Sequence, residues 1–187
     1  MSSSSAPSTP AAPSSPGPQQ FKQALARFAT GVTVITARAP ASAEVANPQG
    51  FIGLTASSFN VVSLTPPLVL WSLGLRARSL PAFLSGSHYV VNVLAASQRA
   101  LCERFAYAPG DRFAGIDWRP GDCGLPILEG CLAWFECRHR SRYEEGDHII
   151  FVGEVERCGT GPDQDPLVYQ RSGFHTTQAL DVDEGID

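Results

Sequence analysis

The stretch CLAWFECRHRSRYEEGDHIIFVGEVE, residues 131–156, contains two segments that favour extended structure on either side of a turn. Cys131 to Arg138 and His148 to Glu156 are rich in aromatic and β-branched residues, as strands are. Between them stands Glu144-Glu145-Gly146-Asp147, in which Gly and Asp favour a tight turn. The stretch therefore predicts a long antiparallel hairpin.

Five further segments have the composition of short strands. They are Val32 to Ala37, Gly50 to Ala56, Pro67 to Leu73, Tyr89 to Leu94 and Leu167 to Gln170. Strands that follow each other closely, without long helices between them, indicate an antiparallel barrel rather than a doubly wound parallel sheet. The predicted fold class is mainly β with peripheral helices.

Three short helices are predicted around these strands. Apolar residues recur at helical spacing over 21–31, where Gly is the stop signal. Ser79 is placed to cap a helix over 80–84, and Ser97 is placed to cap another over 98–107.

Composition divides the 187 residues into three parts. Residues 1–20 are rich in Ser, Pro and Ala and uncharged, which predicts a disordered leader, and residues 181–187 predict a frayed acidic tail. The expected domain is residues 21–180. Four of the 18 acidic residues lie in the tail, so the remaining 14 balance the 14 Lys and Arg of the domain. This neutral body lacks the basic surplus that nucleic-acid binding requires.

Several functional classes lose support because their motifs are absent. The sequence has no G-x-G-x-x-G after a strand, no P-loop, no G-x-S-x-G and no H-E-x-x-H. The four histidines lack metal-site spacing and the five cysteines contain no C-x-x-C pair, so we expect no metal and free thiols. The absence of a long apolar run or a secretion signal predicts a cytoplasmic protein without a membrane partner.

The segment GLTASSFN, residues 53–60, is the most unusual part of the sequence because a strand gives way there to small hydroxyl residues. Small side chains let a ligand approach the backbone, and amides with Ser and Thr hydroxyls donate to carbonyl or phosphate oxygens. An ordinary strand-to-loop turn has the same composition. The residues alone leave both interpretations open.

Seven segments resemble, in the same order, the short-chain flavin reductases, which are the reductase components of two-component flavin-dependent monooxygenases. They are FATGVTVIT (28–36), GLTASSF (53–59), VSLTPPLVLWSL (62–73), VNVLAASQRAL (91–101), RFA (104–106), GDHIIFVGEV (146–155) and PLVY (166–169). The resemblance covers residues 21–178, nearly the whole expected domain. It implies a homodimeric antiparallel split β-barrel of the Greek-key type, which binds FMN or FAD non-covalently near the dimer interface.

The resemblance also implies ten flavin-binding residues. They fall into four groups along the chain. The first matches the segment that holds the isoalloxazine edge and the ribityl chain, and the second matches the strand end beside the ring. The third matches the region that holds the flavin phosphate, and the fourth matches the strand on the adenylate or phosphate side. These residues are Thr55, Ala56, Ser57 and Ser58, then Ser72 and Leu73, then Arg78 and Ser79, and finally Asn92 and Val93. For Arg78 and Ser79, a guanidinium fork and a helix N-terminus would both favour an anion. For Asn92 and Val93, an alternating core strand would have the same sequence pattern.

His148, in the GDH segment, is the catalytic candidate. The resemblance places it next to the nicotinamide, where it would donate a hydrogen bond to the carboxamide, although a histidine beside a turn is otherwise an ordinary surface residue. Asp147 either orients His148 or completes the turn, and we favour the turn. Tyr169 and Phe174 are expected to stack on a flavin or nicotinamide ring, with core or dimer packing as the equal alternative.

The implied activity is hydride transfer from NADH, or from NADPH, to FAD or FMN, followed by release of the reduced flavin to a partner monooxygenase. This transfer depends on positioning two rings and needs no protein acid or nucleophile, in keeping with a sequence that has no catalytic triad. Thirteen Arg against one Lys suggest a GC-rich bacterial genome, in which such reductases serve aromatic catabolism or antibiotic biosynthesis.

Three alternatives remain. The first is another activity on the same barrel, of the pyridoxamine-phosphate oxidase type. This sequence lacks the run of basic residues that such an enzyme would use for the substrate phosphate. The second is a non-enzymatic flavin carrier or redox sensor, and the third is a small β-barrel interaction module. The choice between FAD and FMN stays open, as does that between NADH and NADPH, for which Arg38, Arg99 and Arg142 are candidate determinants.

Overall fold

A computed structural model describes residues 15–180. The helices are α1 (Pro18–Leu25), α2 (Leu80–Ser85) and α3 (Arg99–Tyr107), the last preceded by a 3-10 turn (Ala96–Gln98). The strands are β1 (Thr30–Gly31), β2 (Thr33–Arg38), β3 (Phe51–Ala56), β4 (Asn60–Leu64), β5 (Pro67–Gly74), β6 (His88–Val93), β7 (Trp118–Pro120), β8 (Pro126–Leu128), β9 (Ala133–Glu145), β10 (His148–Thr160), β11 (Val168–Gln170) and β12 (Gly173–His175).

Seven strands form one antiparallel sheet in the order β3-β2-β6-β9-β10-β5-β4. Its two edge strands, β3 and β4, follow each other in the chain and are joined by residues 57–59. One hydrophobic cluster receives buried residues from β2, β3, β5, β6, β9 and β10, so the sheet curls around it. The predicted mainly β antiparallel barrel is therefore confirmed. It is open between β3 and β4, and we call this opening the seam.

The interior of the barrel is built around Trp71 of β5. Its indole stacks on Phe151 with ring centroids 5.0 Å apart and meets Phe83 of α2 edge-on at 4.8 Å. All three side chains are buried. Burial of each such side chain stabilises a fold by roughly 1.5–3 kcal/mol, and the position of Phe83 shows that α2 packs against the barrel core.

A second cluster lies on the outer face of β2, β3 and β6, where α3 and the β7–β8 ribbon pack. Consecutive residues separate the two cores: Val34 belongs to this outer cluster and Ile35 to the interior, as strand alternation requires. Gly53 permits the close packing of α3, because a Cβ at that position would overlap the Phe105 ring.

The predicted hairpin is confirmed and is longer than expected. β9 and β10 each contain 13 residues, and Glu145 pairs with His148 across a two-residue turn. Gly146 begins that turn with φ 61°, a conformation that glycine adopts at little cost.

The helices differ from the sequence predictions at their ends. α1 begins at Pro18, within the segment assigned to the leader, and ends at Leu25 rather than at Gly31. Ser79 occupies the N-cap of α2 without a side-chain capping bond. The Ser97 hydroxyl donates to Gln164 instead of capping a helix. Residues 1–14 of the expected leader and the whole acidic tail, residues 181–187, lie outside the described residues.

Two further findings bear on function. Over residues 15–180, no helix is both long enough and apolar enough to cross a bilayer, and the same residues contain no cluster of three or more potential metal ligands. All five cysteines lie in this range as free thiols. Cys158 is exposed, Cys123 is half-buried, and the other three are buried.

Candidate functional site

The turn after β3 is fastened to β5 by two hydrogen bonds beside the seam. The Ser58 hydroxyl accepts from the backbone N–H of Ser72 at 2.9 Å and donates to the carbonyl of Ser72 at 3.2 Å. Ser58 and Ser72 are both half-buried, and Ser57 is exposed between Ser58 and the end of β3. Two of the predicted segments therefore meet, at the end of β5.

His148 reaches the same end of β5 from its other side. β10 pairs with β5 so that His148 lies opposite Gly74, two residues beyond Ser72. The backbone N–H of Leu75 donates to the carbonyl of Asp147 at 2.9 Å, which ties the hairpin turn to β5. The turn after β3 and His148 are thus both neighbours of the end of β5.

The side chains of Asp147 and His148 also interact. His148 Nδ1 lies 2.6 Å from Asp147 Oδ1, and this hydrogen bond lowers the pKa of the Asp147 carboxyl. His148 Nε2 points toward Gly74, since it lies 3.7 Å from the position that a Cβ on Gly74 would occupy. Asp147 therefore completes the turn, as we favoured, and its carboxylate also hydrogen-bonds the imidazole of His148.

A groove of about 810 Å³ runs along the outside of β3. Four of the predicted flavin-binding residues line it, namely Thr55, Leu73, Arg78 and Ser79. Its other walls are residues 44–47 and 105–113. The volume lies within the range of small-molecule and cofactor sites.

Among the predicted flavin-binding residues, some polar groups are already used in hydrogen bonds within the protein. The Thr55 hydroxyl donates to the carbonyl of Cys102 at 2.7 Å and so braces α3 against β3. Ala56 is buried and its carbonyl accepts from Thr33 at 2.8 Å. Arg78 is exposed and makes no hydrogen bond or ion pair with any residue from 15 to 180, so its predicted contact with a phosphate stays a prediction. α2 has only six residues, so its N-terminus contributes little to the binding of an anion.

Asn92 and Val93 have structural positions. Asn92 is fully buried, its amide donating to the carbonyl of Val34 at 3.2 Å and its side-chain oxygen accepting from the N–H of Leu128 at 2.8 Å. Val93 pairs with Thr33 in the adjacent strand. Because these bonds use the polar groups of Asn92 inside the sheet, the predicted contact of its side chain with the adenylate or phosphate is wrong.

Tyr169 and Phe174 lie on a separate three-stranded sheet formed by β1, β11 and β12. Their rings meet edge-on at 5.5 Å, and the guanidinium of Arg99 lies 5.1 Å from the centre of the Phe174 ring. Neither residue lines the groove. Phe174 packs against the outer core cluster, which favours the packing alternative over stacking on a cofactor.

Sequence reasoning missed the residues that build the far wall of the groove. Arg112 donates to three backbone carbonyls, at Ala108 (2.9 Å), Phe105 (2.6 Å) and Gly53 (3.1 Å), and burial lowers its pKa. In the sequence, Asn47 is one residue of the turn-forming segment Asn47-Pro48-Gln49-Gly50. In the structure its side-chain amide donates to the Asp111 carboxylate at 3.1 Å and so joins the two loops of this wall.

Comparisons with known proteins agree with this architecture. The model of the flavin reductase like domain matches residues 25–178. The FMN reductase (NADH) SmoA of Agrobacterium fabrum is 43% identical over 156 residues, which cover 83% of this chain and 84% of that protein. HsaB of Mycobacterium tuberculosis, the reductase subunit of a flavin-dependent monooxygenase, is 36% identical over 159 residues, covering 84% and 81%.

Solved structures give the same result. The NADH:FAD oxidoreductase SgcE6 of Streptomyces globisporus, in complex with NAD and FAD fragments, superposes with a TM-score of 0.77 at 34% identity, covering 88% of this chain and 94% of that one. The open antiparallel barrel and its groove define the class of split-barrel flavoproteins. Within that class, the chain belongs to the flavin reductase like family.

Proposed function

We propose that the protein is an NAD(P)H:flavin oxidoreductase that reduces FAD or FMN and releases the reduced flavin to a partner monooxygenase. The observation that carries the proposal is that the turn after β3 and His148 flank the end of β5 on its two sides, and that Leu73 at this strand end lines the groove together with Arg78. SmoA and SgcE6 support it, since both are named for flavin reduction with NADH.

The residues present fit a non-covalently bound flavin. Arg78 offers a guanidinium without a partner among the described residues for the flavin phosphate, and the exposed Ser57 offers a hydroxyl beside backbone amides for the ring edge or ribityl chain. When bound, the flavin supplies the acceptor for the nicotinamide hydride. His148 holds the carboxamide in our proposal, with Asp147 fixing the imidazole. Holding two reactants in a reactive geometry lowers a barrier by several kcal/mol.

The partner that we propose is a flavin-dependent monooxygenase of aromatic catabolism or antibiotic biosynthesis. HsaB and the stachydrine N-demethylase reductase subunit Stc3 of Rhizobium meliloti are both named as reductase subunits. A reductase that passes its product onward needs a site that releases flavin, and we expect the groove, which opens to solvent, to allow this. A cytoplasmic location is part of the same proposal.

The assembly that we propose is a homodimer. α1 has no buried residue and exposes Phe21 (55%) and Leu25 (54%). Phe28, after the end of α1, is 67% exposed, and edge strand β4 exposes Leu64 (85%). Large apolar side chains grouped in this way mark interaction surfaces. Sedimentation velocity should give twice the mass of the 187-residue chain, and the double variant Phe21→Ser/Phe28→Ser should shift the mass toward the monomer.

One experiment separates the reductase from a flavin carrier or sensor. The purified protein is mixed with NADH and free FAD or FMN, and absorbance is followed at the nicotinamide band. Under air, oxygen reoxidises the released flavin, so a reductase consumes NADH continuously at a rate that rises with the flavin concentration, whereas a carrier binds flavin without consuming NADH. Absence of consumption with both flavins and with both NADH and NADPH would exclude the reductase.

A further inference from the structure

Three buried polar groups meet inside the barrel, each without a hydrogen-bond partner among residues 15–180. They are the indole N–H of Trp71 in β5, the hydroxyl of Tyr89 in β6 and Nε2 of His139 in β9. Trp71 and Tyr89 are fully buried, and His139 is half-buried with Nε2 on its buried side. Buried polar groups nearly always bond to protein or to ordered water. Three such groups at one place therefore indicate a shared partner.

The three side chains are close enough for one small molecule to contact them all. The Tyr89 ring lies edge-on to Trp71, with ring centroids 5.7 Å apart, and edge-on to His139, with centroids 4.8 Å apart. Burial raises the pKa of Tyr89, and the Cys137 thiol and the Trp71 N–H, which lie beside the hydroxyl, change it further. These contacts cross the barrel, because β9 and β10 separate β6 from β5 in the sheet.

The β9–β10 hairpin shapes this place by two local features. Gly153 pairs with His139 and the residue before it pairs with Ser141, so β9 bulges by one residue here. A bulge redirects side chains, and in this one the imidazole of His139 faces the interior and meets Tyr89. Gly153 leaves room for the Tyr89 hydroxyl, since a Cβ at that position would overlap it.

The hydrogen-bonding roles of the three groups are complementary to those of water. The Trp71 indole can only donate, and the Tyr89 hydroxyl donates because its raised pKa keeps it protonated. Burial is the main cause that lowers the pKa of His139 to about 4. The imidazole is therefore neutral at neutral pH, and a neutral imidazole has one ring nitrogen that accepts. Two donors and one acceptor match a molecule that accepts twice and donates once.

We propose that one water molecule is bound inside the barrel, where it accepts hydrogen bonds from the Trp71 N–H and the Tyr89 hydroxyl and donates one to His139 Nε2. Three hydrogen bonds are the usual number for a buried water. The water joins β5 to β6 and β9, neither of which is a neighbour of β5 in the sheet. None of the three residues lines the groove, so the inference goes beyond the proposed function and does not depend on it.

Removal of the Tyr89 hydroxyl gives opposite results for a bound water and for a hydroxyl that has no partner. With the water present, Tyr89→Phe should lower the midpoint of thermal unfolding by about 2–4 °C, the shift expected for one lost hydrogen bond in a domain of this size. Tyr143→Phe is the matched control, because Tyr143 is 55% exposed and its midpoint should equal that of wild type. A midpoint of Tyr89→Phe that is unchanged or raised would overturn the proposal.

A high-resolution crystal structure of the wild type distinguishes a bound water from direct bonds among the three groups, and it decides the matter even if Tyr89→Phe fails to fold. We expect electron density for one water at about 2.7–3.2 Å from Trp71 Nε1, Tyr89 Oη and His139 Nε2. Direct hydrogen bonds among these groups, with no water between them, would overturn the proposal. Failure of the reductase proposal is distinct, since it appears only in the NADH consumption assay.

Discussion

The hydroxyl of Ser58 and the backbone of Ser72 form a reciprocal pair of hydrogen bonds, 2.9 Å from the Ser72 N–H and 3.2 Å to its carbonyl. This pair joins the connection between the two edge strands to β5 beside the seam. The hydroxyl of Ser58 is consequently a brace, and a ligand at this turn meets Ser57 and backbone groups first.

Ser58→Ala should destabilise the protein by about 1–2 kcal/mol, because the N–H and carbonyl of Ser72 both lose a partner in a half-buried setting. Urea unfolding measures the change, and flavin titration should show weaker binding through a widened seam. Ser57→Ala is the matched control, since its side chain is exposed and its loss should leave the unfolding midpoint unchanged. A Ser58→Ala protein as stable as wild type would contradict the bracing role.

His148→Ala should raise the KM for NADH by about tenfold, the effect of one hydrogen bond of about 1.4 kcal/mol. Flavin affinity should stay within about twofold, because His148 meets β5 at Gly74, beyond the Ser58–Ser72 brace. Steady-state kinetics and flavin titration measure the two effects. His175→Ala, an exposed histidine on β12, is the control. Equal losses of NADH use and flavin binding would assign His148 to the fold.

Asp147 should act on the same step through His148. Asp147→Ala removes the acceptor 2.6 Å from His148 Nδ1, so the KM for NADH should rise, though less than in His148→Ala. Asp147→Asn keeps an oxygen acceptor and should restore most of the wild-type value. The same comparison in a His148→Ala background should show no further loss. An additive loss there would mean that Asp147 contacts the ligand directly.

The stability of the protein should fall on mild acidification because of His139. Burial, together with the charges of Arg142 and His88, lowers the pKa of His139 to about 4. The unfolded chain protonates this histidine near pH 6.5, so it binds more protons than the folded chain between pH 6.5 and 4, and the free energy of unfolding decreases as pH falls through that window. Thermal unfolding at pH 7 and pH 5 should differ less for His139→Gln than for wild type. His175→Ala should keep the wild-type difference.

Gly53→Ala should cost about 1–3 kcal/mol, the usual effect of overpacking. The added methyl group would overlap the Phe105 ring and press on Phe113, so α3 must move away from β3. Gly31→Ala is the control, because nothing lies within 4 Å of the Cβ it would add. Chemical unfolding gives the stabilities. If the two variants unfold alike, the contact between α3 and β3 is less tight than the structure describes.

The hairpin and the barrel class follow from local sequence, but several strands do not. β4 carries Val61 and Val62, yet Pro66 and Pro67 follow directly and make the segment look like a loop. The outer half of β9 is mostly exposed, so it has no periodic apolar signal. The backbone of this outer half of β9 still pairs with β10. Its length as a strand is therefore set by pairing with β10 and not by burial of its side chains.

The site was only partly predictable for the same reason. Ser58 and His148 lie at one strand end because β10 pairs with β5. This pairing brings together residues that are far apart in sequence, and neither segment predicts it by itself. The resemblance supplied that proximity. Asn92 and Arg112 could not be predicted in this way, because Asn92 bonds to the carbonyl of Val34 in β2 and the N–H of Leu128 in β8, and Arg112 donates to the carbonyl of Gly53 in β3. Single polar residues carry no sequence mark of such nonlocal partners.

The unequal exposure of the thiols gives the molecule a built-in attachment point for spectroscopy. Burial raises the pKa of Cys123 to about 12 and that of Cys131 to about 11, and a protonated thiol is a poor nucleophile. Cys158 is the exposed one of the five and lies near the opposite end of β10 from His148. A maleimide dye should therefore attach there without disturbing the groove, and energy transfer between two such dyes would report how subunits meet.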